Sequence, residues 1–250
     1  MSDKFYTVII GAGGGTGGAV ASRFSQAYPV VLLARTPATY ESSVKAINDA
    51  GGKAIGIVAD STDRASLDAA FDTIAKELPG HKLAAAIYNA SAGPKPTPFV
   101  EIDPAALDLS VDVNIRGFFN FAQKVLPHLE SSVSSSPPPP YPPTLIVTGA
   151  TASVKGSARF AAFAAGKWGK RALAQSIARE YGPKGVHVAH AVIDGVITGP
   201  RTESYTGVNG GAPDGKISAD SIAETYWSLH TQHRSGFTWE VDIRPYVEKW

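Results

Sequence analysis

Short apolar, β-rich runs alternate with longer amphipathic stretches along the whole chain, and this alternation restricts the available folds more than any other feature. The runs Tyr6–Ile10, Val30–Ala34, Ala54–Val58, Leu83–Tyr88, Leu145–Thr148, Val186–Val192 and Thr238–Val241 are nearly continuous in apolar residues, as strands covered on both faces must be. Helices are expected near Gly18–Gln26, Tyr40–Ala50, Arg64–Glu77, Pro104–Leu129, Ala158–Tyr181 and Ala219–His230. Strand–helix–strand repeats of this kind make right-handed crossovers. The expected fold class is therefore α/β, a doubly wound, mainly parallel seven-stranded sheet with helices on both faces. The chain has 250 residues, 44% hydrophobic and 18% charged, which is enough for one such domain over 1–250.

Two segments break the rhythm. Residues 131–144 read SSVSSSPPPPYPPT; proline at this density suits neither a helix nor a central strand, so a surface insertion is expected. Residues 199–217 follow the sixth strand and are rich in Gly, Thr and Ser. They would lie at the carboxyl edge of the sheet, where a substrate lid is placed.

The join between the first strand and the first helix reads VIIGAGGGTGGAVA. Gly11, Gly15 and Gly17 there, with Thr16 between the last two, permit a tight turn and close approach to a pyrophosphate. Helix N-terminal amides would face the phosphates. A glycine-rich turn in this context is the mark of a Rossmann-type dinucleotide site. The second strand ends VVLLARTP. An acid at that point would bond a ribose 2′-hydroxyl; Arg35 instead offers a planar cation for a 2′-phosphate. NADP(H) is expected ahead of NAD(H). Asp60, followed by Ser61, ends the third strand and is suited either to an adenine amino group or to capping the helix near Arg64.

On these residues the chain resembles the short-chain dehydrogenase/reductase family along nearly its whole length. Gly11, Gly15 and Gly17 resemble that family's cofactor fingerprint. Asn89-Ala90-Ser91 resembles its Asn-Ala-Gly motif, and Asn114 matches an asparagine on its fourth helix. Lys167 matches the lysine of its Tyr-x-x-x-Lys motif, while Gly195, Val196, Ile197 and Thr198 resemble the segment holding the nicotinamide carboxamide. The resemblance implies an oxidoreductase acting on a small organic substrate through a C=O, C=N or C=C bond, and a homodimer or homotetramer built on the helices around Asn114 and Lys167.

The departures bear on the chemistry. The tyrosine position, four before Lys167, is Phe163, and the serine position falls on Ala150. Thr148, Thr151 and Ser153 are hydroxyls nearby, and Asp194 replaces the usual proline before Gly195. Asp194 is a candidate replacement acid, Thr151 or Ser153 a relay, Tyr205 a more distant donor. An iminium carbon would need no acid, and Phe163 would then wall the pocket with Arg159, Phe160 and Trp168. The alternative is a dinucleotide-binding protein with repurposed or lost hydride chemistry: an isomerase or cyclase, a sensor or a scaffold. Arg116 is suited to an acidic substrate group or to solvent.

Composition sets further expectations. A formal net charge of +1 gives no reason to expect nucleic acid or an acidic membrane as partner. Without cysteine there is neither a disulfide framework nor a thiolate metal site, and no metal is expected. No apolar run reaches the ~18–20 residues of a membrane span. Met1-Ser2-Asp3-Lys4 leads straight into the first strand without a signal-peptide pattern. The expected location is cytoplasmic.

Overall fold

The computed structural model describes residues 4–249; Met1, Ser2 and Asp3 of the N-terminal reading lie outside them. Seven strands, β1 (Phe5–Ile10), β2 (Val30–Ala34), β3 (Ala54–Val58), β4 (Lys82–Tyr88), β5 (Thr144–Thr148), β6 (His187–Ile193) and β7 (Glu240–Ile243), form one sheet in the order β3-β2-β1-β4-β5-β6-β7. Every pairing is parallel. Helices α1 (Thr16–Ser25), α2 (Glu41–Asp49), α3 (Arg64–Glu77), α4 (Pro104–Val111), α5 (Gly117–Val133), α6 (Ala161–Tyr181) and α7 (Ala219–His230) connect them.

Alternating strand residues build two cores. Ile9 and Leu32 face Phe24, Ile47, Ile222 and Tyr226, so α1, α2 and α7 cover one side. Val8, Ile10 and Leu33 face Leu67, Phe71, Phe121, Val125 and Ala174, so α3, α5 and α6 cover the other. Burial on both faces is the reason for the unbroken apolar runs.

Several element ends differ from the sequence reading by one or two residues, β7 lying at Glu240–Ile243 in place of Thr238–Val241, and three departures are larger. The stretch 104–129 is not one regular helix: a π-helical turn, Asp112–Arg116, separates α4 from α5. Helix α5 also runs on to Val133, because the hydroxyls of Ser131 and Ser132 both donate to the His128 carbonyl and close its last turn. The proline-rich insertion thus begins after Val133. Helix α6 begins at Ala161 and not at 158, because Arg159 adopts φ 69°, a left-handed conformation no helix can include.

Residues 199–217 form an ordered loop. Its base is closed by a parallel bridge between Ile197 and Ile217. Lys216 Nζ donates to the Thr202 carbonyl at 2.6 Å, and Asn209 Nδ2 to Glu248 at 2.9 Å.

Candidate active site

The strand order reverses between β1 and β4, so the crossovers leaving these strands diverge to opposite faces and open a crevice at their carboxyl ends. Asn89 spans it. Its Nδ2 donates to the Gly11 carbonyl at 2.8 Å, and its backbone N–H to the Ile10 carbonyl at 2.9 Å. These bonds clamp the glycine-rich turn against β4. Gly11 has φ 84°, and a Cβ there would stand 2.5 Å from the Ala90 nitrogen. A Cβ on Gly17 would stand 2.5 Å from the Gly11 carbonyl oxygen. Both glycines are thus required by close backbone approach.

Gly14 and Gly15 differ from them, since a Cβ on either would meet nothing within 4 Å. Open space lies in front of the α1 N-terminus. Gly15 is its N-cap, no side chain caps it, and no acid occupies its first turn. The positive end of the helix is therefore available to an outside anion. Arg35 is exposed just beyond β2 and makes no ion pair among the described residues. This cradle fits the pyrophosphate of a dinucleotide. Gly199, at the start of the 199–217 loop, approaches from the far side, a Cβ there falling 3.9 Å from the Gly15 Cα.

Asp60 is not the cap of α3. That role belongs to Asp63, whose carboxylate accepts from the Ala65 N–H at 2.9 Å. Asp60 turns its carboxylate to the Thr62 N–H and hydroxyl at 2.9 and 2.8 Å. Ser61, next to it, is buried, and its hydroxyl pairs with that of Tyr88 at 3.2 Å. Thr16 is buried in the first turn of α1.

The π-helical turn carries Asn114 into the protein, where it is wholly buried. Its Oδ1 accepts from Ser91 at 3.2 Å, and its Nδ2 donates to Ser110 at 3.4 Å. Gly166 of α6 lies directly against it: a Cβ there would stand 2.7 Å from the Ser110 carbonyl and 3.0 Å from Asn114 Nδ2. One residue on, Lys167 is buried, its Nζ 3.5 and 3.4 Å from the carbonyls of Thr148 and Gly149. Burial lowers its pKa from the usual lysine value to about 8. The Phe163 ring stands on the same face of α6, its centre 5.5 Å from Lys167 Nζ.

The replacement acids are engaged elsewhere. Asp194 is not a free carboxyl: it pairs with Arg244 at 3.1 Å and accepts a hydrogen bond from Thr151. Thr151 is committed as donor to that carboxylate, Thr148 accepts from Tyr226 at 2.8 Å, and Ser153 is buried while accepting from the Ala150 N–H at 3.1 Å. Tyr205 is exposed on the 199–217 loop, and Arg116 is an exposed partner of Asp112 at 2.8 Å. Trp168 lies half-exposed beside Arg171, off the face that carries Phe163.

Sequence reasoning missed Lys170, Gly166, His190 and Arg244. Lys170 had a signal, standing three residues after Lys167 and seven after Phe163, on one helical face. It is fully buried, with Nζ 3.4 Å from the Ala90 carbonyl. His190 on β6 is fully buried, its Nδ1 2.9 Å from Glu240, which also takes two bonds from Arg171 at 2.6 and 2.9 Å.

Known proteins resemble this chain in sequence and fold. The chain is 25% identical over 193 residues, 77% of its length and 73% of the relative's, to a cis-4-hydroxycyclohexanecarboxylate dehydrogenase of Sinomonas cyclohexanicum. A short-chain dehydrogenase structure from Rhodopseudomonas palustris matches with TM-score 0.77 and 28% identity, over 96% of this chain and 99% of that one. A metagenomic short-chain oxidoreductase in complex with NADP matches with TM-score 0.77 and 24% identity, over 96% of each chain. Residues 6–207 match the family model described as short chain dehydrogenase, and the chain belongs to that family of oxidoreductases.

Proposed function

We propose that this chain is an NADP(H)-dependent oxidoreductase that transfers hydride to or from a C=O, C=N or C=C bond of a small organic substrate. The carrying observation is the open helix end before Gly14 and Gly15, flanked by Arg35 and lying at the same sheet edge as Lys167. Bound NADP(H) supplies or accepts the hydride. The Gly11–Gly17 turn binds its pyrophosphate, and Arg35 selects the 2′-phosphate by a charge-assisted fork. Asp60 and the backbone at Ser61 bound the adenine end. Asn89 and Ala90 back the ribose, Lys167 holds the ribose hydroxyls, and Gly195 and Ile197 face the carboxamide. Asn114 fixes the hydrogen-bond chain beside Lys167.

Calorimetric titration of the purified protein with NADPH and NADH tests this. Micromolar or tighter binding of NADPH with weak NADH binding is expected, followed by NADPH oxidation with members of carbonyl, imine and enone panels. Tight NADH binding would discard Arg35 as the selector; no binding of either would overturn the function.

Phe163 favours a second reading, a dinucleotide-binding protein with repurposed or lost hydride chemistry, because a phenyl ring gives no proton to an alkoxide. NADPH binding without turnover across the panels would select it. No helix among the described residues is long and apolar enough to cross a membrane. Exposed Phe99, Val100, Leu107, Leu109 and Phe119, on and before α4 and α5, support pairing with a second copy as a homodimer or homotetramer.

A further inference from the structure

The proline-rich insertion after α5 has no part in the dinucleotide site. It leads into β5 and therefore lies at the amino edge of the parallel sheet, opposite the crevice that holds Gly11–Gly17 and Asn89. Both of its ends are fixed. At the first, Ser135 donates from its backbone N–H and its hydroxyl to the Ser132 carbonyl at 3.2 and 2.8 Å, and the hydroxyl also reaches the Pro137 carbonyl at 3.1 Å. At the second, the half-buried Tyr141 ring stands edge-on to Trp227 and His230 of α7, with centres 5.7 and 5.5 Å away. Pro143 is buried behind it, and its carbonyl accepts from the His187 N–H at 2.8 Å.

Between these anchors lie Ser136 and four consecutive prolines. Pro137, Pro138 and Pro140 are exposed, and Pro139 is half-buried. Each ring fixes φ near about −65°. Pro137, Pro138 and Pro139 are each followed by a further proline, which disfavours the helical choice of ψ. The backbone is thereby held toward the polyproline-II region before any partner arrives. Prolines have no N–H, and among the described residues the carbonyls of Pro138, Pro139 and Pro140 accept no hydrogen bond. Apolar rings and open acceptors thus share one exposed strip. Residues 131–144 contain no charged side chain, and Tyr141 is turned into the protein, so the strip offers prolines alone. A sheet edge cannot add a strand that lacks N–H donors. A groove walled by aromatic rings can take it: the pyrrolidine rings pack on the walls, and a tryptophan or tyrosine donor meets the carbonyls. A segment already extended and tethered at both ends loses little freedom on docking.

We propose that Pro137–Pro140 is a docking strip for a partner protein that carries an aromatic-walled polyproline groove. The partner reads pyrrolidine rings and carbonyls and needs neither a flanking charge nor a free tyrosine. Strip and crevice lie at opposite edges of the sheet, so the chain is held through one edge while the other stays open.

The test titrates the full chain into isotope-labelled domains of the SH3, WW and EVH1 types, read by NMR. Saturable shifts confined to the aromatic groove of at least one domain are expected. Pro138→Ala and Pro140→Ala, made singly and together, remove exposed rings. Each is expected to keep the parent Tm, and the pair to weaken binding about tenfold or more. No shift in any of the three domains, shifts outside the groove, or binding unchanged in the double variant would overturn the proposal. Sedimentation of the chain alone decides the other occupant. Self-association lost in the double variant would seat a second copy on the strip and overturn the separate partner, whereas equal self-association in parent and variant supports it.

Discussion

Phe163 and Arg35 carry opposite kinds of information, one a group withdrawn and the other a group supplied. A phenol at position 163 would stand where the ring now lies, beside Lys167, and a neighbouring cation would favour its ionised form. Phe163→Tyr is expected to raise carbonyl reduction about a hundredfold or more, the usual range for a positioned acid, measured as kcat with NADPH. A folded, NADPH-binding variant with no gain would show that the pocket moves its proton by another route. Arg35 makes no ion pair among the described residues, so its replacement disturbs little else. Charge-assisted bonds contribute about 1.5–3 kcal/mol. Arg35→Asp is therefore expected to weaken NADPH binding by about 10- to 100-fold while leaving NADH binding unchanged or improved. Equal loss of both in calorimetry would remove Arg35 from the 2′-phosphate.

Among elements, the π-helical turn and α6 decide whether the site exists, because their contact brings Asn114 to Lys167. Gly166 allows it by leaving room for Ser110 and Asn114 Nδ2. Gly166→Ala inserts a methyl into a packed junction, which costs about 1–3 kcal/mol. The urea midpoint is expected to fall accordingly with the slope unchanged, and NADPH binding to weaken as Lys167 is displaced. A wild-type midpoint would show that the two elements separate freely. This junction was hidden in the sequence, whereas the strands and the glycine-rich turn were legible. Periodicity and local glycine chemistry mark Phe5–Ile10 and Gly11–Gly17 directly. Nothing in Asp112–Arg116 announces an extra residue per turn, and the left-handed Arg159 that delays α6 carries no glycine or proline to mark it. Pairing of Asp194 with Arg244 joins positions fifty residues apart, a tertiary fact that no local pattern encodes. Lys167 was legible from its motif; the burial of Lys170 one turn further along α6 was not.

At the scale of the whole molecule, stability is tied to pH by histidines buried in both layers. His190 lies fully buried against Glu240, and burial lowers its pKa to about 4. His230 lies between Tyr28 and Thr144, each 3.0 Å from a ring nitrogen, and burial lowers its pKa to about 3. His187, stacked on Phe237, is lowered in the same direction by the same cause. Unfolded histidine takes its proton near pH 6.5. Below that value the unfolded chain binds protons that the native protein refuses, so the unfolded state gains. The contribution of the neutral rings is complete above pH 6.5 and is lost as pH falls toward the folded values of about 4 and 3. For His190 and His230 together the limiting slope is about 2.7 kcal/mol per pH unit, twice the value for one proton. Glu240, held below its usual range first by Arg171, adds its own loss only at lower pH, whereas Lys170, whose pKa burial pushes well down, adds a decline in the same direction as the histidines. Urea unfolding free energies measured at pH 7, 6 and 5 are expected to decline steeply across that window. A flat profile would mean that these rings are charged in the native protein, and that the layers packed on them admit a buried imidazolium.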